Sequence, residues 1–272
     1  MSAFEGLNQI HFEAYTEEKW SSMVHNLTRM KAKDTLASLV NKLETDHHIA
    51  YGGMVTGSSD EIPNISNGKK VDAQWFYWFR EKSQRNSLNK ILDRLELSSA
   101  TVFQTAPQDK HIIIGLKLDA QALSVGIFMA PTASVDRRNL RARLDQTRGR
   151  EKAVALFQTA TAELSLNFGD LAVPLSTVTA GDLIKIGTML AEQVDETLFL
   201  GRVFQAEDAI GRGASIIDEA RQILASLGPF YRFLAWSHEN DSIDVTKEIE
   251  TQRKAKQEKA AKYQVGDKVR IV

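Results

Sequence analysis

The 272-residue chain contains no cysteine. That excludes disulfides, thiolate nucleophiles and cysteine-ligated zinc, and it fits a reducing compartment. An excess of charge of one sign is also lacking. With 34 basic against 35 acidic residues there is no uniformly basic surface, so any polyanion contact has to come from local patches. No stretch reaches the roughly 18 apolar residues of a membrane helix, and the opening MSAFEGLNQIHFEAY has no basic segment followed by an apolar run. These absences predict a cytoplasmic protein without membrane contact. Catalytic signatures are missing too: no HExxH surrounds any of the six histidines, no GxSxG elbow occurs, and GRGAS at 211–215 lacks the Lys-Ser/Thr of a phosphate loop. Adjacent His47 and His48 project to different sides of either a helix or a strand, so neither a metal nor a cofactor is expected.

What is present is ample core material, 43% hydrophobic residues. From Thr16 to Leu43 a capping threonine and two acids precede Trp20, Val24, Leu27, Leu36, Leu39, Val40 and Leu43, a spacing that predicts a long amphipathic helix with a break near Asp34. Residues 51–70, rich in Gly, Ser, Asn and Asp, predict a long mobile loop. A second helix is expected from Val71 to Leu95, carrying the run WFYWF from Trp75 to Phe79. Five aromatics in a row wrap round a helix, so this segment either packs in the core or lends a face to a protein partner or to stacked bases, with Lys69, Lys70, Arg80, Lys82 and Arg85 flanking it.

The clearest β signal is the double alternation in HIIIGLKLDAQALSVGIFMA, residues 111–130. A hairpin turning between Ala120 and Gln121 pairs Leu118 with Leu123 and Leu116 with Val125. It also sets Gly115 opposite Gly126, a bare spot for a closely packed helix or a ligand. After Pro131, Ser134 is placed to cap a helix, and ELSLNFGDLAVPL with its Gly169-Asp170 turn extends the sheet. Thr179 and Asp182 form a capping box. The small residues of GRGAS allow close approach of another helix, Gly228-Pro229 stops the helix before it, and Phe230, Phe233, Leu234 and Trp236 return to helical spacing. Helices, then hairpins, then helices predict an α+β fold: amphipathic helices packed on a small antiparallel β-sheet.

Two groups of residues carry the functional expectations for this body, residues 1–243. Residues 134–152 hold seven basic side chains against three acids. Arg137, Arg138, Arg141, Arg143, Arg148 and Arg150 are candidate nucleic-acid-binding residues through bidentate contacts to phosphate, or else form a solvated face with Asp136 and Asp145 as partners. In WSHEND, His238 beside Asp241 is a candidate general base and carboxylate, or a polar helix end.

Beyond the body, residues 244–262 read as a charged helical linker, with five basic residues against one acid from Arg253 to Lys262. The chain then ends on VGDKVRIV, Val265 to Val272. These eight residues resemble the opening strand of a KOW motif, the small SH3-like barrel of transcription-elongation and ribosomal proteins, without the glycine- and phenylalanine-bearing continuation. The resemblance implies that residues 263–272 are the first strand of a truncated barrel and that the protein is tethered to transcription or translation machinery, or to RNA or DNA. The combined expectation is a non-enzymatic nucleic-acid-associated or regulatory binding protein. The alternatives are a protein-interaction module using the aromatic run at 75–79, and an enzyme with a site near His238 and Asp241.

Overall fold

The computed structural model describes residues 4–46, 54–65, 67–94, 107–160 and 163–243. His47 and His48, the 244–262 linker and the KOW-like strand lie outside them. The described strands are β1 (Val55–Ser58), β2 (Ala73–Phe79), β3 (Ile113–Asp119), β4 (Ala122–Met129), β5 (Ser165–Phe168), β6 (Leu171–Pro174) and β7 (Leu198–Gln205). They form one antiparallel sheet in the order β1-β2-β3-β4-β7-β5-β6, and helices cover it. The fold is α+β, as the order of elements predicts.

The β3–β4 hairpin has the predicted register, with Leu118 opposite Leu123, Leu116 opposite Val125 and Gly115 opposite Gly126. Ala120 and Gln121 are poor turn residues, and Asp119 compensates: its Oδ1 accepts the N–H groups of Gln121 (2.9 Å) and Ala122 (3.0 Å). Among the described residues the atoms nearest the glycine pair come from neighbouring strands, not from a helix. A Cβ on Gly126 would lie 2.7 Å from the ring of Phe199, which spreads over Gly126 and Gly201 from the neighbouring strand.

The aromatic run is strand β2, not a helix; the helix starts only at Lys82, as α3 (Lys82–Arg94). Alternation sends Trp75, Tyr77 and Phe79 to one face, where they join Ile113, Phe128 and Phe199, while Trp78 enters the main core on the other. Both faces are apolar, so the two-residue period is invisible in the sequence. The expected 51–70 loop likewise contains an edge strand, β1, paired with β2. Strand β7, LFLGRVFQ, has no counterpart in the sequence reading; it follows a short turn segment, residues 192–197, after the helix begun by the Thr179–Asp182 box, which forms as predicted.

After the short α1 (Gln9–Glu13), helix α2 (Asn26–Asp46) starts ten residues later than the sequence pattern suggests and runs unbroken through Asp34. Arg29 supplies the reason. Its fully buried guanidinium donates to the carbonyls of Lys19, Ser22 and Glu61 and to Asn26 Oδ1, holding residues 17–25 in two short 3-10 turns. At about 100° per residue Leu27 and Leu36 point in opposite directions. Accordingly Ala32, Leu36, Leu39, Val40 and Leu43 enter the core, while Leu27 is 64% and Val24 85% exposed.

Pro131 leads into α5 (Ser134–Leu144), whose cap is Ala133 rather than Ser134, and α6 (Thr147–Phe157) follows. Helix α7 is Ala180–Ala191. The segment after β7 is not one helix but α8 (Ala206–Arg212) and α9 (Ile216–Ser226), separated at Gly213 with φ of +53°. What approaches GRGAS is the backbone of Gly6: a Cβ there would lie 2.9 Å from Gly213 Cα. Pro229 stands in the first turn of α10 (Gly228–Leu234).

Candidate functional site

At one end of the antiparallel sheet, the last residues of β2 and β4 meet the first of β3. The sequence places Arg80 just past β2, His111 and Ile112 between α4 (Pro107–Lys110) and β3, and Asp136 in the first turn of α5. The chain returns there after α10, at Trp236. Arg80 and Asp136 form a bidentate ion pair, with Nη1 to Oδ2 at 2.9 Å and Nη2 to Oδ1 at 2.5 Å. The Trp236 N–H donates to Oδ1 (2.7 Å), that of Ile112 to Oδ2 (3.4 Å), and Arg80 Nη2 also donates to the Trp236 carbonyl (2.9 Å). Burial alone pushes the Arg80 guanidinium down, but the Asp136 carboxylate, aided by Tyr231, outweighs it and holds the charge on. Four donors engage the Asp136 carboxylate, so it is a fixed counter-ion and not a free base.

Around this pair lie side chains whose polar atoms are enclosed without a hydrogen-bond partner: Arg85 Nε, Gln108 Oε1, His111 Nδ1, Tyr231 Oη and Trp236 Nε1. The His111 ring stacks at 6.1 Å on Phe79, over which the Arg85 guanidinium sits at 4.9 Å. Burial pushes the His111 imidazole down to about 4; Arg80, Arg85 and Lys110 add to the effect and Asp136 opposes it, so the ring is neutral at pH 7. Burial likewise raises the Tyr231 phenol to about 12. The edge of Trp236 meets His238 at 4.9 Å. No group of three or more metal-ligating side chains occurs among the described residues.

The six arginines expected at a nucleic-acid surface differ in burial and in partners. Arg137 is buried under Phe168 and donates to the carbonyls of Glu196 (2.9 Å) and Val194 (2.7 Å). Arg143 donates to Phe233 O (2.5 Å) and Asn240 O (2.8 Å), and Arg150 to Leu144 O (2.5 Å). Arg138 is half-buried with a partner of its own. Arg141 and Arg148 are exposed, the former 3.8 Å from Asp145. In WSHEND the side-chain oxygen of Asp241 accepts the Ile243 N–H, and Asn240 Nδ2 donates to the carbonyls of Arg232 and Ala235, ordering the end of α10.

Sequence reasoning passed over His111, Gln108 and Tyr231, and it took Arg80, Arg85 and Asp136 for surface charges. The signals present were slight: a histidine directly ahead of an alternating strand, and an acid in the first turn of a helix. No protein-family model matches the chain, and no curated protein matches it.

Proposed function

We propose that this protein is a binding protein that takes a small polar molecule into the cluster around Arg80 and Asp136. One observation carries the reading: Arg85, Gln108, His111, Tyr231 and Trp236, each with an unpartnered polar atom, belong to separate segments that meet at one sheet end. Each buried polar atom left without a partner costs about 1–3 kcal/mol, so five together approach the whole stability of an ordinary domain, about 5–15 kcal/mol. A bound molecule that pairs with them removes that cost. Binding is favoured over catalysis because the Asp136 carboxylate at the centre of the cluster has its oxygens engaged by Arg80, Ile112 and Trp236. A crystal structure of protein purified without additives tests it. Non-protein density bonded to His111 Nδ1, Tyr231 Oη or Trp236 Nε1 is the expected result, and side chains that pair with one another instead would refute it.

A second reading is contact with nucleic-acid phosphates, supported by the exposure of Arg141 and Arg148 on successive helices. An electrophoretic shift with RNA or duplex DNA at low salt, lost in Arg141→Gln/Arg148→Gln, is its expected outcome; unchanged mobility at micromolar protein removes it. The tie to transcription or translation machinery rests on the likeness of Val265 to Val272 to a KOW strand.

A further inference from the structure

We infer that the molecule held by the cluster is an anion that offers a carboxylate or phosphoryl group to Arg85 and Trp236, an inference that rests on the binding reading above. Charge balance supports it first. Among the described residues, the positive charges of Arg80, Arg85 and Lys110 all bear on His111 and only the carboxylate of Asp136 opposes them; with Asp109, beside Lys110, counted as well, one positive charge is left in excess. Among the described residues Asp136 engages Arg80 alone of these cations, and the Arg85 guanidinium lies over an aromatic face with no ion pair to an acid. The excess lies in a partly desolvated place, where a counter-charge gains more than it does in water.

The unpartnered atoms point the same way. Arg85 Nε and Trp236 Nε1 can only donate, Tyr231 Oη carries a proton, and the neutral His111 ring carries one on one of its two nitrogens. Gln108 Oε1 alone is restricted to accepting. A donor-rich enclosure with surplus positive charge matches an oxyanion, whose oxygens only accept. A neutral amide or sugar would bring donors with few acceptors to receive them. Trp236, 4% exposed, and His111, 8% exposed, are held too deeply for bulk water to do the same work freely.

The test is a histidine and indole NMR titration of the full chain with sodium acetate, sodium phosphate and neutral acetamide at constant ionic strength in sodium chloride. Saturable movement of the His111 ring and Trp236 Nε1–H signals with acetate or phosphate is expected, and the stronger of the two identifies the group. The bound anion also raises the pH at which His111 titrates. Arg85→Gln, a change at a half-buried position, weakens the response at least about tenfold, the loss of one charge-assisted hydrogen bond. Trp236→Phe keeps the ring and removes its donor, with a similar effect. Response to acetamide alone would overturn the anion and leave the binding reading standing; no saturable response to any probe would remove both. Movement equal in Arg85→Gln and wild type would overturn the anion as well.

Discussion

Acidification should destabilise this protein through His111 in particular. Free in an unfolded chain the imidazole titrates near 6.5; in the fold burial, with Arg80, Arg85 and Lys110, pushes it down to about 4. Between those values the unfolded chain binds a proton that the folded chain refuses, so stability falls as pH falls. The His111 contribution is whole above pH 6.5 and exhausted below about 4. With ~1.4 kcal/mol for each pH unit of separation, the loss attributable to this one ring is about 3 kcal/mol. Other groups also titrate in this range, so the comparison must be with His111→Phe, which keeps a ring on Phe79 and cannot be protonated. Urea unfolding of both proteins at pH 7.5 and pH 4 gives the measure. The wild type should lose about 3 kcal/mol more than the variant between the two conditions. Parallel losses would show that His111 is not held neutral by its surroundings, and the electrostatic account of the cluster would fall with it.

The ion pair is the next test. Arg80→Met leaves Asp136 buried without its counter-ion and should cost about 3–5 kcal/mol in urea melts, whereas a cost below about 1 kcal/mol would show the carboxylate to be solvated. Gly126→Ala drives a methyl group into the ring of Phe199 and the Leu200 carbonyl, so a loss of about 1–3 kcal/mol is expected by thermal or urea unfolding; a neutral effect would mean that the ring is not lying over the glycine. On α2, Leu36→Ala should cost about 2–5 kcal/mol and Leu27→Ala less than about 0.5, and the reverse ranking in chemical denaturation would contradict the orientation of the helix.

Where a segment has one buried and one different face, the sequence is readable. The β3–β4 hairpin was legible down to its register because two matched alternations and a glycine pair admit only one alignment. The Thr179–Asp182 box and the turn at Gly169, with φ of +57°, were equally plain, since caps and turns are set by neighbouring residues. Trp75 to Phe79 failed because burial on both sheet faces erases the period. Helix α2 failed at its start because Arg29 binds carbonyls of residues far ahead of it and one from the 59–65 segment, a tertiary effect no local window contains. The cluster was illegible for the same cause on a larger scale. Arg80, His111, Asp136 and Trp236 are each ordinary in their own stretch; strand pairing and the start of α5 bring the first three together, and the return of the chain after α10 adds the fourth.

Strand β4 has all eight residues buried, yet one of its flanking strands is β7, made about seventy residues later, after α5, α6, the β5–β6 pair and α7. At a synthesis rate of about 5–20 residues per second the hairpin therefore waits on the order of 4–14 s with that apolar edge unpaired. During that interval the nascent chain presents a strand-pairing template to anything nearby, including another copy emerging from the same polysome. Holding chaperones at the ribosome, and slower rather than faster expression, should accordingly govern how much of this protein is recovered in native form.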